Sequence, residues 1–192
     1  MRKRRRYASF FEPHLSSKFD LEDGKKLKQL KEGHIVGAGL DAIERSGDIR
    51  ITSLQQNPDA PPDFIAKDEN EQCIGIEVVE LVDQFAIEQN EKGFDYVRFW
   101  NFEEVTNKIR QILQTKDGKI FRGGQYHKIV ILIHVDEPSI TFESLSKTIV
   151  DHKFRGLRQV DEAYLLFSFD PNFSDNLLDF PVIKLVVERV NN

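Results

Sequence analysis

The stretch PPDFIAKDENEQCIGIEVVEL, Pro61 to Leu81, decides the fold. Asp63-Phe64-Ile65-Ala66 and Cys73-Ile74-Gly75-Ile76-Glu77-Val78-Val79 are β-rich runs, and the polar segment Asp68–Gln72 lies between them. The spacing predicts a hairpin. With the turn centred on Asn70, Asp63 faces Glu77 across two neighbouring strands, their Cβ atoms about 5 Å apart. A shift of one residue would send the two acids to opposite faces. Opposed carboxylates repel unless a positive group sits between them, and a hard divalent cation bound through oxygen is the usual solution.

Outward from the hairpin, the signals alternate. Asp20 or Ser17 caps a first helix through LEDGKKLKQLKEGH. Gly33, Gly37 and Gly39 are expected to loosen it before a second helical stretch, GLDAIERSG. Arg50–Leu54 reads as a short strand, and Asn57–Pro62 as a rigid, proline-fixed connector. After Leu81, DQFAIEQNEKG reads as a short helix or loop. Apolar positions at 102, 105, 109, 112 and 113 have helical spacing. Three glycines then break the pattern in QTKDGKIFRGGQ. HKIVILIHV, 127–135, suits a buried central strand. Thr141 opens a helix expected to run through TFESLSKTIVDHKF, and strands follow at 163–169 and 181–187. The expected fold is a single α/β domain, a central mixed β-sheet flanked by helices, over residues 20–192, preceded by a basic tail at 1–19.

Composition narrows the class. A chain of 192 residues supports one well-cored domain. No apolar run approaches the roughly 20 residues that span a bilayer, and no apolar segment follows the basic start as a secretory signal requires. The lone Cys73 cannot form an internal disulfide and reads as packing, which fits a reducing, cytoplasmic setting. The net charge of −5 argues against a wholly basic nucleic-acid coat. It leaves room for local basic surfaces: the block Arg2, Lys3, Arg4, Arg5 and Arg6, and a second group at Lys116, Lys119, Arg122 and Lys128. The plain reading of the first block is a solvated tail.

Pro62-Asp63 followed by Glu77-Val78-Val79 on the next strand resembles the motif of the restriction-endonuclease-like nuclease superfamily, P-D then (D/E)-x-K. The order of elements is also similar. Valine stands at 79, where the motif has lysine. The resemblance implies a restriction-endonuclease-like fold and Mg²⁺- or Mn²⁺-dependent hydrolysis of nucleic acid, DNA in the first instance. Asp63 and Glu77 would be metal ligands, and Glu44, on the leading helix, a further catalytic acid. A homodimer is one reading of the oligomeric state. Each acid also has a plain reading: a turn-adjacent carboxylate for Asp63, a salt bridge for Glu77, a solvated helix face for Glu44.

The missing lysine admits three repairs. Lys116, Lys119 or Lys128 reaches in from elsewhere; a two-metal route needs less help from a lysine; or the site binds nucleic acid or a protein without cutting. Glu80 does not fill the gap, because Glu77 and Val79 share one face of a regular strand and Glu80 the other. A third class, an interaction domain with ordinary surface acids, is also on the table. The remaining signals are weaker. His127, His134 and His152 lack a metal-ligand spacing, and Gly37-Ala38-Gly39 is too short for a phosphate-binding fingerprint. Gly123-Gly124 reads as a tight turn or a phosphate-contacting loop. Tyr96, Phe99, Trp100 and Phe102 read as core or interface before base-stacking residues.

Overall fold

The computed structural model describes residues 24–94, 96–137, 139–167 and 180–190; of residues 24–31, 90 and 91 it describes the backbone alone. The tail at 1–19, with Arg2 to Arg6, lies outside the described residues.

In the hairpin, β2 (Phe64–Asp68) pairs antiparallel with β3 (Cys73–Leu81), with Phe64 opposite Ile76 and Ala66 opposite Ile74. One residue beyond that ladder, the register sets Asp63 against Glu77. Alternation then sorts the side chains. Phe64, Ala66, Ile74, Ile76 and Val78 enter one apolar cluster, so Asp63 and Glu77 belong to the opposite face, with Val79.

β1 (Ile51–Gln56) adds antiparallel to β2 at one edge. β4 (Lys128–Val135) lies parallel to β3 and β6 (Glu162–Phe167) parallel to β4. β7 (Val182–Arg189) runs antiparallel to β6, and β5 (Lys153–Leu157) closes the far edge parallel to β7. The result is one α/β domain with a mixed seven-stranded sheet, order β1-β2-β3-β4-β6-β7-β5. β4 is buried on both faces. Ile129, Ile131, Ile133 and Val135 pack on the side of α3 (Phe102–Asp117), while Val130 and Leu132 pack on the side of α1 (Gly24–Ser46). α3 is well specified locally. Asn101 caps it in a reciprocal box with Glu104, and Val105, Ile109, Ile112 and Leu113 form its buried stripe.

Three expectations are corrected. The glycines do not split the first helix; α1 continues through Gly33, Gly37 and Gly39 to Ser46. At Gly39 an added Cβ would lie 3.3 Å from Leu166 and 3.4 Å from Leu132, so the missing side chain brings helix and sheet close together. The helix after Thr141 is short: α4 spans Phe142–Ser146, and the chain turns into β5 instead of continuing. Gly156, at φ 85°, sits where the β5–β7 register shifts, leaving Phe154 and Leu157 as the buried positions. That bulge turns a spacing of two into a spacing of three, which mimics a helix in the sequence. The aromatic group does not enter the core as a unit: Tyr96, Phe99 and Phe102 are exposed. The stretch after Leu81 is helical as α2 (Gln84–Glu91). Among the described residues no helix is long and apolar enough to cross a membrane.

Candidate active site

Glu77 is 1% exposed in the middle of β3. A carboxylate so placed requires partners. Its Oε1 accepts two ammonium groups, Lys116 Nζ at 2.5 Å and Lys119 Nζ at 3.0 Å. Its Oε2 is buried and accepts no hydrogen bond among the described residues. Lys116 follows Ile109, Ile112 and Leu113 at helical intervals of seven, four and three. It therefore continues the apolar stripe of α3 and emerges over Glu77. That spacing was present in the sequence, but it is the approach of α3 to β3 that brings Lys116, together with Lys119, to the strand.

Asp63 precedes β2. Its Oδ2 accepts the Val78 N–H at 2.8 Å, which pins it beside Glu77. Burial pushes its carboxyl up to about 6; the charges of Glu77 and Glu32 push the same way, against the Val78 hydrogen bond and the Lys116 charge. Burial alone would lower the ammonium of Lys119, but the hydrogen bond and charge of Glu77 outweigh it and hold Lys119 above the ordinary lysine range.

Two loops brace this pair. On the strand side, Asn57 donates its N–H to the Asp63 carbonyl at 2.9 Å, and its side chain donates to Pro62 O at 2.9 Å and Arg122 O at 3.3 Å. Arg122 in turn donates its N–H to Pro61 O at 2.6 Å. Gly123, at φ 88°, lies where a Cβ would come 2.9 Å from Asn57 Oδ1, so only glycine fits this junction. On the helix side, the Asp117 carboxylate accepts backbone N–H groups from Arg158 (2.9 Å), Gln159 (2.7 Å) and Val160 (3.0 Å). Gln159 Nε2 adds bonds to Asp117 O at 2.6 Å and Lys119 O at 3.0 Å. The segment that carries both lysines is thus fastened to the β5–β6 turn. No motif marks Asp117 in the sequence, because its partners are main-chain groups some forty residues away.

The other expected residues are dispersed. Glu44 is paired with Arg50 at 3.6 Å. It lies twelve residues beyond Glu32, about 18 Å along a straight helix, and Glu32 is the α1 acid whose charge reaches Asp63. Lys128 pairs with Glu162 at 2.5 Å rather than with Glu77. Arg122 is exposed on the loop after α3. His134 is buried, His127 exposed, and His152 stands against Phe102 and Phe154. Cys73 is half-buried. A cleft of about 170 Å³ beside Trp100, Val105 and Leu145 is lined by neither carboxylate.

Among the described residues no group of three or more His, Cys, Asp or Glu is arranged to hold a metal ion. The donor set on the sheet is a carboxylate pair. Its fit to a hard cation rests on Glu77 Oε2, a buried oxygen that lacks a donor among the described residues, and on the neighbouring Asp63 carboxyl, raised by burial and by the Glu77 charge. Oxygen ligands of this kind suit Mg²⁺ or Mn²⁺. Comparison with known proteins returns no matching family model, no matching curated protein and no matching solved structure.

Proposed function

We propose that this chain is a divalent-cation-dependent nuclease of restriction-endonuclease-like fold, acting on DNA, in which Asp63 and Glu77 hold the ion. The observation that carries the reading is the buried, donorless Oε2 of Glu77, on a residue whose charge acts on Asp63 and whose strand register sets it against Asp63. The order of elements supports it as well: a leading helix, a hairpin with the acids, a helix, then a buried parallel strand. When bound, the cation lowers the pKa of a coordinated water and shields the charge of the scissile phosphate.

The protein's own groups supply the rest. Lys116 takes the part of the motif lysine from the helix instead of from position 79. Its ammonium, 2.5 Å from Glu77, presents N–H donors at the carboxylate pair, where an attacking water and a phosphate oxygen need them. Glu32, rather than Glu44, is the leading-helix acid near enough to bias Asp63. Asn57 and Asp117 hold the two halves in register.

One observation favours a second reading, a nucleic-acid-binding module that does not cut. Lys116 and Lys119 already balance the charge of Glu77 without an ion. The two readings part in one experiment. Purified protein is incubated with plasmid and single-stranded DNA in Mg²⁺, Mn²⁺ or EDTA. Metal-dependent cleavage lost in both Asp63→Ala and Glu77→Ala supports the nuclease. Retention of DNA without cleavage supports the module. Cleavage surviving both substitutions rejects the assigned site.

A further inference from the structure

The two lysines on Glu77 are not equivalent. Lys116 leaves the last turn of α3 with its side chain 14% exposed. Lys119 stands beyond Gly118 with its side chain 38% exposed, at the start of the loop that carries Ile120, Arg122 and His127 into solvent. The main chain of Lys119 is tied at both ends of its peptide: its N–H donates to Lys116 O at 3.1 Å, and its carbonyl accepts from Gln159 Nε2 at 3.0 Å. The backbone is fixed while a long, flexible side chain crosses from the solvent-facing rim to the buried acid. A lysine ammonium is a compact charge on a mobile stem, suited to exchanging one anion for another.

We propose that Lys119 is a substrate-phosphate ligand of this site, and that it rests on Glu77 only while no phosphodiester strand is bound. The inference depends on Asp63 and Glu77 being the cation site. Without substrate, an incoming cation meets two ammonium charges on the same carboxylate oxygen, and repulsion opposes it. A strand laid along the loop, with Arg122 on a neighbouring phosphate, draws Lys119 outward. One positive charge then leaves Glu77, and Lys116 stays behind. Cation and nucleic acid therefore bind cooperatively, and each must strengthen the other by the same factor.

Mn²⁺ binding to the full chain, followed by electron paramagnetic resonance, tests this without any turnover. The measurement is made with and without a short phosphorothioate strand that resists cleavage, correcting for Mn²⁺ held by the strand alone. The wild-type protein is expected to bind Mn²⁺ weakly alone and about 5- to 150-fold more tightly with the strand, the ordinary range of coupling between sites. Lys119→Met should tighten Mn²⁺ binding to the free protein and remove the effect of the strand, whereas Lys119→Arg and Lys116→Met should keep it. The proposal is overturned if Lys119→Met binds Mn²⁺ no better than wild type, if its coupling persists, or if Lys116→Met loses the coupling equally. A different result separates the underlying reading. If no protein binds Mn²⁺ in either condition, or if Glu77→Gln binds as wild type does, the carboxylate pair is not a cation site and both ideas fall.

Discussion

Asp63 gives the stability of this molecule one pH dependence that runs against that of its ion-paired carboxylates, Asp48, Glu162 and Glu188, which are held below the ordinary range. Its folded carboxyl titrates at about 6, above the value near 3.9 of an unfolded aspartate. Between those values the folded chain holds the proton more often than the unfolded chain does. The stability Asp63 contributes is therefore fully present below about pH 4 and is lost as pH rises through about 6. Asp63→Asn keeps an acceptor for the Val78 N–H and removes the charge. At about pH 7.5 it is expected to stabilise the protein by on the order of 1 kcal/mol, a figure reduced for solvent screening because the group is partly exposed. The gain should vanish near pH 4. Urea denaturation at the two pH values checks both statements. The same substitution removes a proposed ligand, so it should also abolish cleavage. A more stable but inactive variant is the signature of a strained functional carboxylate.

At the scale of elements, the proposed function divides between strand and helix a task that the resembled motif places on the strand alone. Val79 is partly buried on the face it shares with Glu77, packed against the α3 side of the core. Lys116→Met should lower the proposed cleavage rate by about 100-fold, the effect of losing one positioned charge donor. Adding Val79→Lys to that variant should recover part of it, since an ammonium then arises two residues from Glu77 on the same face. Single-turnover rates of the three proteins decide this. Asp117 tests the brace. Oδ1 receives all three peptide N–H groups and Oδ2 shares the one from Arg158, so asparagine removes the negative charge that these donors converge on and sets an amide N–H₂ against the Arg158 N–H. Asp117→Asn should destabilise the fold by about 2 kcal/mol, read as a lower urea midpoint with an unchanged slope.

This level also shows what the sequence reveals and what it conceals. The hairpin register was legible, because the alternation of Phe64, Ala66, Ile74, Ile76 and Val78 allows one pairing that buries them all. β4 was legible from its continuous apolar run. β5 was hidden by the bulge at Gly156, and the length of α1 by glycines that serve close packing rather than a break. Lys116 and Lys119 could be named as candidates, but choosing them over Lys128 required knowing that Glu162 already holds Lys128. The approach of α3 to β3 is a tertiary fact, and local spacing carries only half of it.

For the molecule as a whole, charge is the governing quantity. A net charge of −5 repels a polyanion at long range, so the proposed binding to nucleic acid should depend on a few local cations. The logarithm of affinity should fall with the logarithm of salt concentration at a modest slope, near −0.9 per phosphate contacted. Arg122→Ala should reduce that slope by about 1, and removal of the Arg2–Arg6 charges should reduce it further if they touch phosphate. Fluorescence anisotropy over a salt series measures both.

The brace at Asp117 has a temporal consequence. Its carboxylate is captured by residues 158–160, and the Gln159 side chain also fixes Lys119. A ribosome that has released only the first 150 residues has delivered both acids and both lysines, but not the clasp that seats them. Domains fold as their sequence emerges, so the proposed site is not seated on a nascent chain until residues 158–160 have followed the acids and lysines out.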